Sequence, residues 1–132
     1  MKKLLFACML AALISCKEEA KKETPALNTE EVSEGEMANM TASEKLGQEI
    51  FNGKGNCFSC HKPDQKIIGP SIKEIARIYK EKNGDMIAFL KGDGEPIVDP
   101  SQYAVMKTNF AITKNFSEEE LKAVEDYIYS FN

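Results

Sequence analysis

The chain has no tryptophan and a single histidine, His61. One imidazole excludes any site that needs two histidines from the same chain. An excess of basic residues is also missing: 17 lysines and arginines stand against 21 acidic residues, a formal net charge of −4. That balance, with no basic stripe along the chain, argues against a nucleic-acid partner. No apolar run is long enough to cross a bilayer. The longest, Leu4 to Ser15, has twelve residues, against roughly 20 for a spanning helix. No segment alternates apolar and polar residues as a half-buried strand would, and no internal repeat is visible.

What is present begins with Lys2 and Lys3 ahead of that apolar run, the pattern of an export signal. The run ends in Leu13-Ile14-Ser15-Cys16 and resembles a bacterial lipoprotein signal, in which a small residue precedes a cysteine that takes up lipid. The resemblance implies a cleaved signal over residues 1–15 and a lipid on Cys16, with Cys8 lost alongside the signal. The remaining chain would hold 15 basic and 21 acidic residues, a net −6. Residues 17–40 are mostly Lys, Glu, Ala, Thr, Asn and Ser. They offer too few apolar groups to build a core and are expected to form a solvated tether. A flexible coil of that length spans on the order of 25–30 Å, enough to lift a small domain off a lipid surface.

A folded domain is expected over residues 41–132. Thr41 and Glu44 form a capping-box pattern, followed by Leu46, Gly47, Ile50 and Phe51 at helical spacing. Gly53 and Gly55 end that helix. After Pro70, residues 71–82 predict a second helix with Ile72, Ile75, Ala76 and Tyr79 inward. Residues 85–91 read as a short third helix with Met86, Phe89 and Leu90 on one side. Ser117 and Glu120 repeat the capping box and open a last helix with Leu121, Val124, Tyr127, Ile128 and Phe131 on one face. Residues 92–116 carry Gly, Pro, Asp and Thr and read as a long loop, which in a compact domain usually means function. The fold class is therefore all-α, with about four helices.

Between the first and second helices lies Cys57-Phe58-Ser59-Cys60-His61, a C-x-x-C-H motif of the kind that attaches c-type haem. Two thiols one short turn apart can form thioether bonds with two vinyl groups on one side of a porphyrin. The adjacent imidazole is then carried over the ring, where it can ligate iron. Such a group would also staple a domain too small to rely on its core alone. Structural zinc needs four Cys or His ligands, and too few are present. A thioredoxin-like dithiol needs a βαβ setting, and none is predicted. With His61 as the lone histidine, the second axial position falls to a methionine or stays open. Met37 and Met40 lie in the tether or at its edge, and Met86 sits on the apolar face of a short helix. Met106 lies in the long loop beside Lys107, Thr108 and Asn109, where no periodic face accounts for it, and is the preferred ligand. A thioether favours ferrous iron and raises the potential.

In the order helix, C-x-x-C-H, Gly-Pro, helix, loop with methionine and C-terminal helix, residues 41–132 resemble the small bacterial class I cytochromes c. His61 and Met106 are 45 positions apart, a separation similar to that family's. The resemblance implies a cytochrome c fold packed around one covalently bound haem c. It implies that the Pro70 carbonyl accepts the His61 ring N–H, which fixes the tautomer. It also implies that Asn109 can hydrogen-bond the methionine sulfur, and that Gly47 and Phe51 cross the last helix near Val124 and Tyr127. Two departures stand out. Lys107 follows the methionine where the family commonly has proline, and no tryptophan is available near a haem propionate.

The function expected is electron transfer with no catalytic residue: with both axial positions filled, iron has no site for dioxygen or peroxide. The partners would be donor and acceptor redox proteins, together with the membrane through the lipid on Cys16. The domain itself would be monomeric and face the periplasm or the cell surface. An open sixth position would instead make a haem sensor, ligand-binding protein or weak peroxidase. Permanent docking would make it a haem subunit of an oxidase or reductase. Lys54, Lys62, Lys66 and Lys107 flank the haem-bearing segments and could form a positive rim that steers an acidic partner.

Overall fold

The computed structural model describes residues 39–131, so Cys8, Cys16, Met37 and the expected signal and most of the tether lie outside the described residues. Helix α1, Ala42–Asn52, starts where its capping box demands. The Thr41 hydroxyl accepts the Glu44 N–H at 3.2 Å, and the Glu44 carboxylate accepts the Thr41 N–H at 2.6 Å. These reciprocal bonds satisfy donors that the first turn leaves without helical partners. Helix α2, Ile72–Lys82, is capped by Ser71 and ends at Asn83 in the left-handed region. Helix α3, Met86–Leu90, is capped by Asp85, whose carboxylate accepts the Ala88 N–H at 2.8 Å.

Residues 92–116 do not form the structureless loop that their composition predicts. They hold a 3₁₀ turn at Pro100–Gln102, helix α4 at Tyr103–Met106, a second 3₁₀ turn at Lys107–Asn109 and helix α5 at Phe110–Thr113. Single helical turns have no room for the 3.6-residue apolar period, so pattern reading passes over them. They are held by tertiary contacts instead. Phe89 of α3 meets the Phe110 ring edge-on at 5.4 Å and lies 6.3 Å from Tyr103. The buried Thr113 hydroxyl donates to the Leu90 carbonyl at 2.6 Å. Helix α6, Glu118–Tyr129, closes the fold from its own capping box at Ser117 and Glu120. Among the described residues four helices thus stand where expected, joined by two single-turn ones. Among the described residues there is no strand, and one isolated antiparallel bridge pairs His61 with Lys66.

The frame is the crossing of α1 and α6. A Cβ added at Gly47 would stand 1.9 Å from the Ala123 carbonyl oxygen and 2.7 Å from the Tyr127 Cβ. Only a glycine lets the two backbones approach that closely. The residue facing Gly47 is Ala123, one position before the expected Val124, which is itself buried in the core. Beside the crossing, Phe51 and Tyr127 pack edge to face at 5.3 Å, and Tyr127 meets Phe131 at 5.2 Å. Ser43 donates to Asp126 at 2.7 Å and ties the helices at their polar side. Ile72, Ala76 and Tyr79 of α2 and Met86 and Leu90 of α3 complete one apolar core with Ile50, Leu121 and Ile128.

Candidate functional site

The segment after α1 is shaped to present Cys57, Cys60 and His61. Asn56 adopts a left-handed conformation, φ 52°, and turns the chain into a 3₁₀ turn at Cys57–Ser59. That turn is closed by Cys60 N–H and His61 N–H, both donating to the Cys57 carbonyl at 3.0 Å. Cys57 is buried and Cys60 half-buried, and no disulfide joins them. Before haem is attached, burial pushes the Cys57 thiol up to about 11.

His61 is positioned from two sides. Its Nδ1 lies 2.8 Å from the Pro70 carbonyl oxygen. A carbonyl can only accept, so Nδ1 carries the proton and Nε2 keeps its lone pair for a metal. The chain then passes flat against the ring, where a Cβ at Gly69 would fall 2.4 Å from the imidazole Cε1. The Gly-Pro pair thus does two jobs: glycine makes room for the ring and proline's carbonyl orients it. Burial lowers the imidazole pKa, and the bond to Pro70 opposes that shift only in part. The neutral form, the one that ligates, is favoured.

One cavity runs between the two walls this fold creates. Cys57, Cys60, His61 and Pro70 line it together with Met106 and Asn109. Core side chains, among them Phe51, Leu90 and Val124, close the back. The donor set suits a c-type haem: two cysteines, an imidazole, a thioether and many apolar groups line the same cavity. Met86 also lines the cavity, but it is 1 % exposed and packed into the core, whereas Met106 is half-buried on α4. Met40 is half-buried and packs against the core, without lining the cavity. The Asn109 amide donates to the Gly55 carbonyl at 3.1 Å, which links the methionine-bearing segment to the turn ahead of Cys57. At the mouth, Ile68 and Val105 are 53 % and 47 % exposed.

The four lysines expected to form a positive rim are not equivalent. Lys54 pairs with Glu120 and stands 4.9 Å from the centre of the Phe116 ring. Lys66 pairs with Asp99 at 2.6 Å. Lys62 is half-buried and Lys107 exposed. Carboxylates match the charges of Lys54 and Lys66, so the field at the mouth is weaker than four unmatched ammonium groups would give. Sequence reasoning missed Asp99 and Thr113, because the partner of each is more than 20 residues away along the chain.

No described helix is long and apolar enough to cross a membrane. The sequence pattern of the cytochrome c family matches residues 44–132. Cytochrome c-552 of Nitrosomonas europaea is 32 % identical over 75 residues, covering 57 % of this chain and 69 % of that protein. Cytochrome c-551 of Pseudomonas denitrificans is 34 % identical over 62 residues, covering 41 % of this chain and 73 % of its own. Cytochrome c-551 of Azotobacter vinelandii is 40 % identical over 40 residues, 30 % of this chain and 48 % of its own. With an all-α fold, a C-x-x-C-H turn and a cavity built around it, the chain belongs to the cytochrome c family as a small bacterial class I member, an electron carrier with covalently bound haem c.

Proposed function

We propose that this protein carries one electron at a time outside the cytoplasm on a haem held by Cys57 and Cys60 and ligated by His61 and Met106. The observation that carries this reading is the shared cavity, which both His61 and Met106 line. The haem supplies an iron that cycles between ferric and ferrous states. The chain's own residues do the rest. Cys57 and Cys60 fix the group in place, and the Pro70 carbonyl holds the proton on His61 Nδ1 so that Nε2 faces the metal. Met106, a soft thioether, favours the ferrous state. The apolar back wall limits water around the iron, so little solvent must reorganise when its charge changes. Electrons would enter and leave at the mouth, beside Ile68 and Val105.

The domain limits follow the same reading: a signal over residues 1–15, a tether over 16–40 lipidated at Cys16, and the cytochrome domain over 41–132. The anchored domain would face the periplasm or the cell surface, exchange electrons with separate donor and acceptor proteins, and be monomeric. The apolar run before Cys16 and the polar composition after it support the anchor.

An optical spectrum of the haem-loaded protein tests the ligation, recorded oxidised, reduced, and reduced under carbon monoxide beside Met106→Ala. A low-spin spectrum indifferent to carbon monoxide, with that indifference lost in the variant, is the expected result. Ready carbon monoxide binding by the unmutated protein would mean an open iron site. For the anchor, Cys16→Ser should move the protein from the detergent phase to the aqueous phase in a detergent partition assay. An unchanged partition would refute lipidation at that residue.

A further inference from the structure

We infer that Lys66 and Asp99 form a clasp across the mouth of the haem cavity, and that these positioning residues hold the Met106 segment closed over the iron. The inference rests on the reading of Met106 as an axial ligand. Each half of the clasp is rooted in one wall. On the histidine side, the backbone of Lys66 forms the isolated bridge with His61. The turn is pinned again by Gly69 N–H donating to the Cys60 carbonyl at 2.9 Å, and by Ile67 N–H donating to the Gly69 carbonyl at 3.2 Å. On the methionine side, Asp99 heads an unbroken series of helical turns, Pro100–Gln102 and then α4, which ends at Met106. Asp99 itself lines the cavity. The 2.6 Å ion pair therefore joins two walls that are 33 residues apart along the chain.

The carboxylate is prepared for this contact. Ser101 Oγ donates to its Oδ1 at 2.5 Å, which leaves Oδ2 for the lysine. The Gln102 backbone N–H also lies against it, and the carboxyl is held down to about 2, the Lys66 hydrogen bond being the largest cause. A carboxylate already fixed by its neighbours loses little freedom when the lysine docks, so less of the Coulomb gain is cancelled than in a floppy surface pair. Such a pair adds little to global stability. Its position gives it a different use. When the pair opens, the 99–106 turns are released from the histidine-side wall, and the methionine can swing off the iron more often. Other ties remain: the Tyr103 ring lies 6.3 Å from Phe89, and beyond the segment Asn109 bonds Gly55 and Thr113 bonds Leu90.

The test uses the haem-loaded, full-length protein. The rate at which the ferrous form takes up carbon monoxide reports how often Met106 leaves the iron. Lys66→Ala should raise that rate about three- to fivefold, and Asp99→Ala by at least as much, since the Ser101 contact goes too. The double variant should be no faster than Asp99→Ala, as expected of two residues acting as one unit. Lys66→Arg should return the rate to within about twofold of the unmutated protein, because a guanidinium can rebuild the pair. Lys73→Ala, which removes the neighbouring exposed pair with Asp64, should change nothing. Molar salt should speed the unmutated protein toward the Lys66→Ala rate and leave that variant unchanged. Wild-type rates in Lys66→Ala and Asp99→Ala, or no recovery with arginine, would overturn the clasp while leaving the ligation reading intact. If the unmutated protein takes up carbon monoxide as fast as Met106→Ala, the ligation reading fails, and the clasp fails with it.

Discussion

The α1–α6 crossing and the segment from residue 92 to residue 116 are held together in opposite ways. The crossing is closed by backbone proximity at Gly47 and by rings stacked edge to face, with polar ties at its margins from Ser43 to Asp126 and from Lys54 to Glu120. The 92–116 segment has no long helix and few fully buried side chains, chiefly Phe110 and Thr113. It is pinned at separate points: aromatic rings at Phe89, a buried hydroxyl at Thr113, an amide at Asn109 and an ion pair at Asp99. Dense apolar packing gives a rigid frame that fails as a whole. Point attachments give a wall that can open locally without unfolding the rest. In this protein the turn with Cys57, Cys60 and His61 follows directly on α1 of the frame, and the point-attached segment carries the methionine.

That contrast can be broken most severely at its rigid end. Gly47→Ala should destabilise the protein by about 3 kcal/mol or more in urea unfolding, because the added methyl collides with the Ala123 backbone and not with a movable side chain. A loss below about 1 kcal/mol would show that the helices can slide apart cheaply. Next comes Thr113→Val, which keeps the shape but leaves the buried Leu90 carbonyl without its donor. The expected loss is about 1–2 kcal/mol, accompanied by faster carbon monoxide uptake if the segment opens from that point.

The acid response sharpens the contrast further. The Asp99 carboxyl is held down to about 2, mainly by the Lys66 hydrogen bond, against about 3.9 in an unfolded chain. A depressed carboxyl contributes stability above its unfolded pKa and loses it as pH falls through the folded value. The difference in urea midpoint between the unmutated protein and Asp99→Asn should therefore stay constant down to about pH 4, then close as pH approaches about 2. A gap that closes well above that window would place the effect on another group. The smallest effect is expected at the rim. Lys54→Ala should barely alter the salt dependence of electron transfer to an acidic partner, since Glu120 already matches that charge. Lys107→Ala, at an exposed position, should reduce it more.

The amino-acid sequence by itself determined the local parts of this protein. Two helix starts were legible from Thr41 and Ser117, because a cap acts within three residues of its own position. The haem-attachment turn was legible for the same reason, since Cys57, Cys60 and His61 lie within one short stretch. The preference for Met106 came by elimination, Met86 being accounted for by an apolar helix face. The tertiary structure decided what depends on residues distant along the chain. It turned residues 92–116 from an expected loop into helical turns, whose stability comes from Phe89 and Leu90 and not from their own periodicity. It gave the Asn109 amide to Gly55, and it matched Lys54 and Lys66 with Glu120 and Asp99. A periodic pattern records which face of an element is buried. It carries no information on which distant carboxylate or carbonyl the folded chain brings within hydrogen-bonding distance.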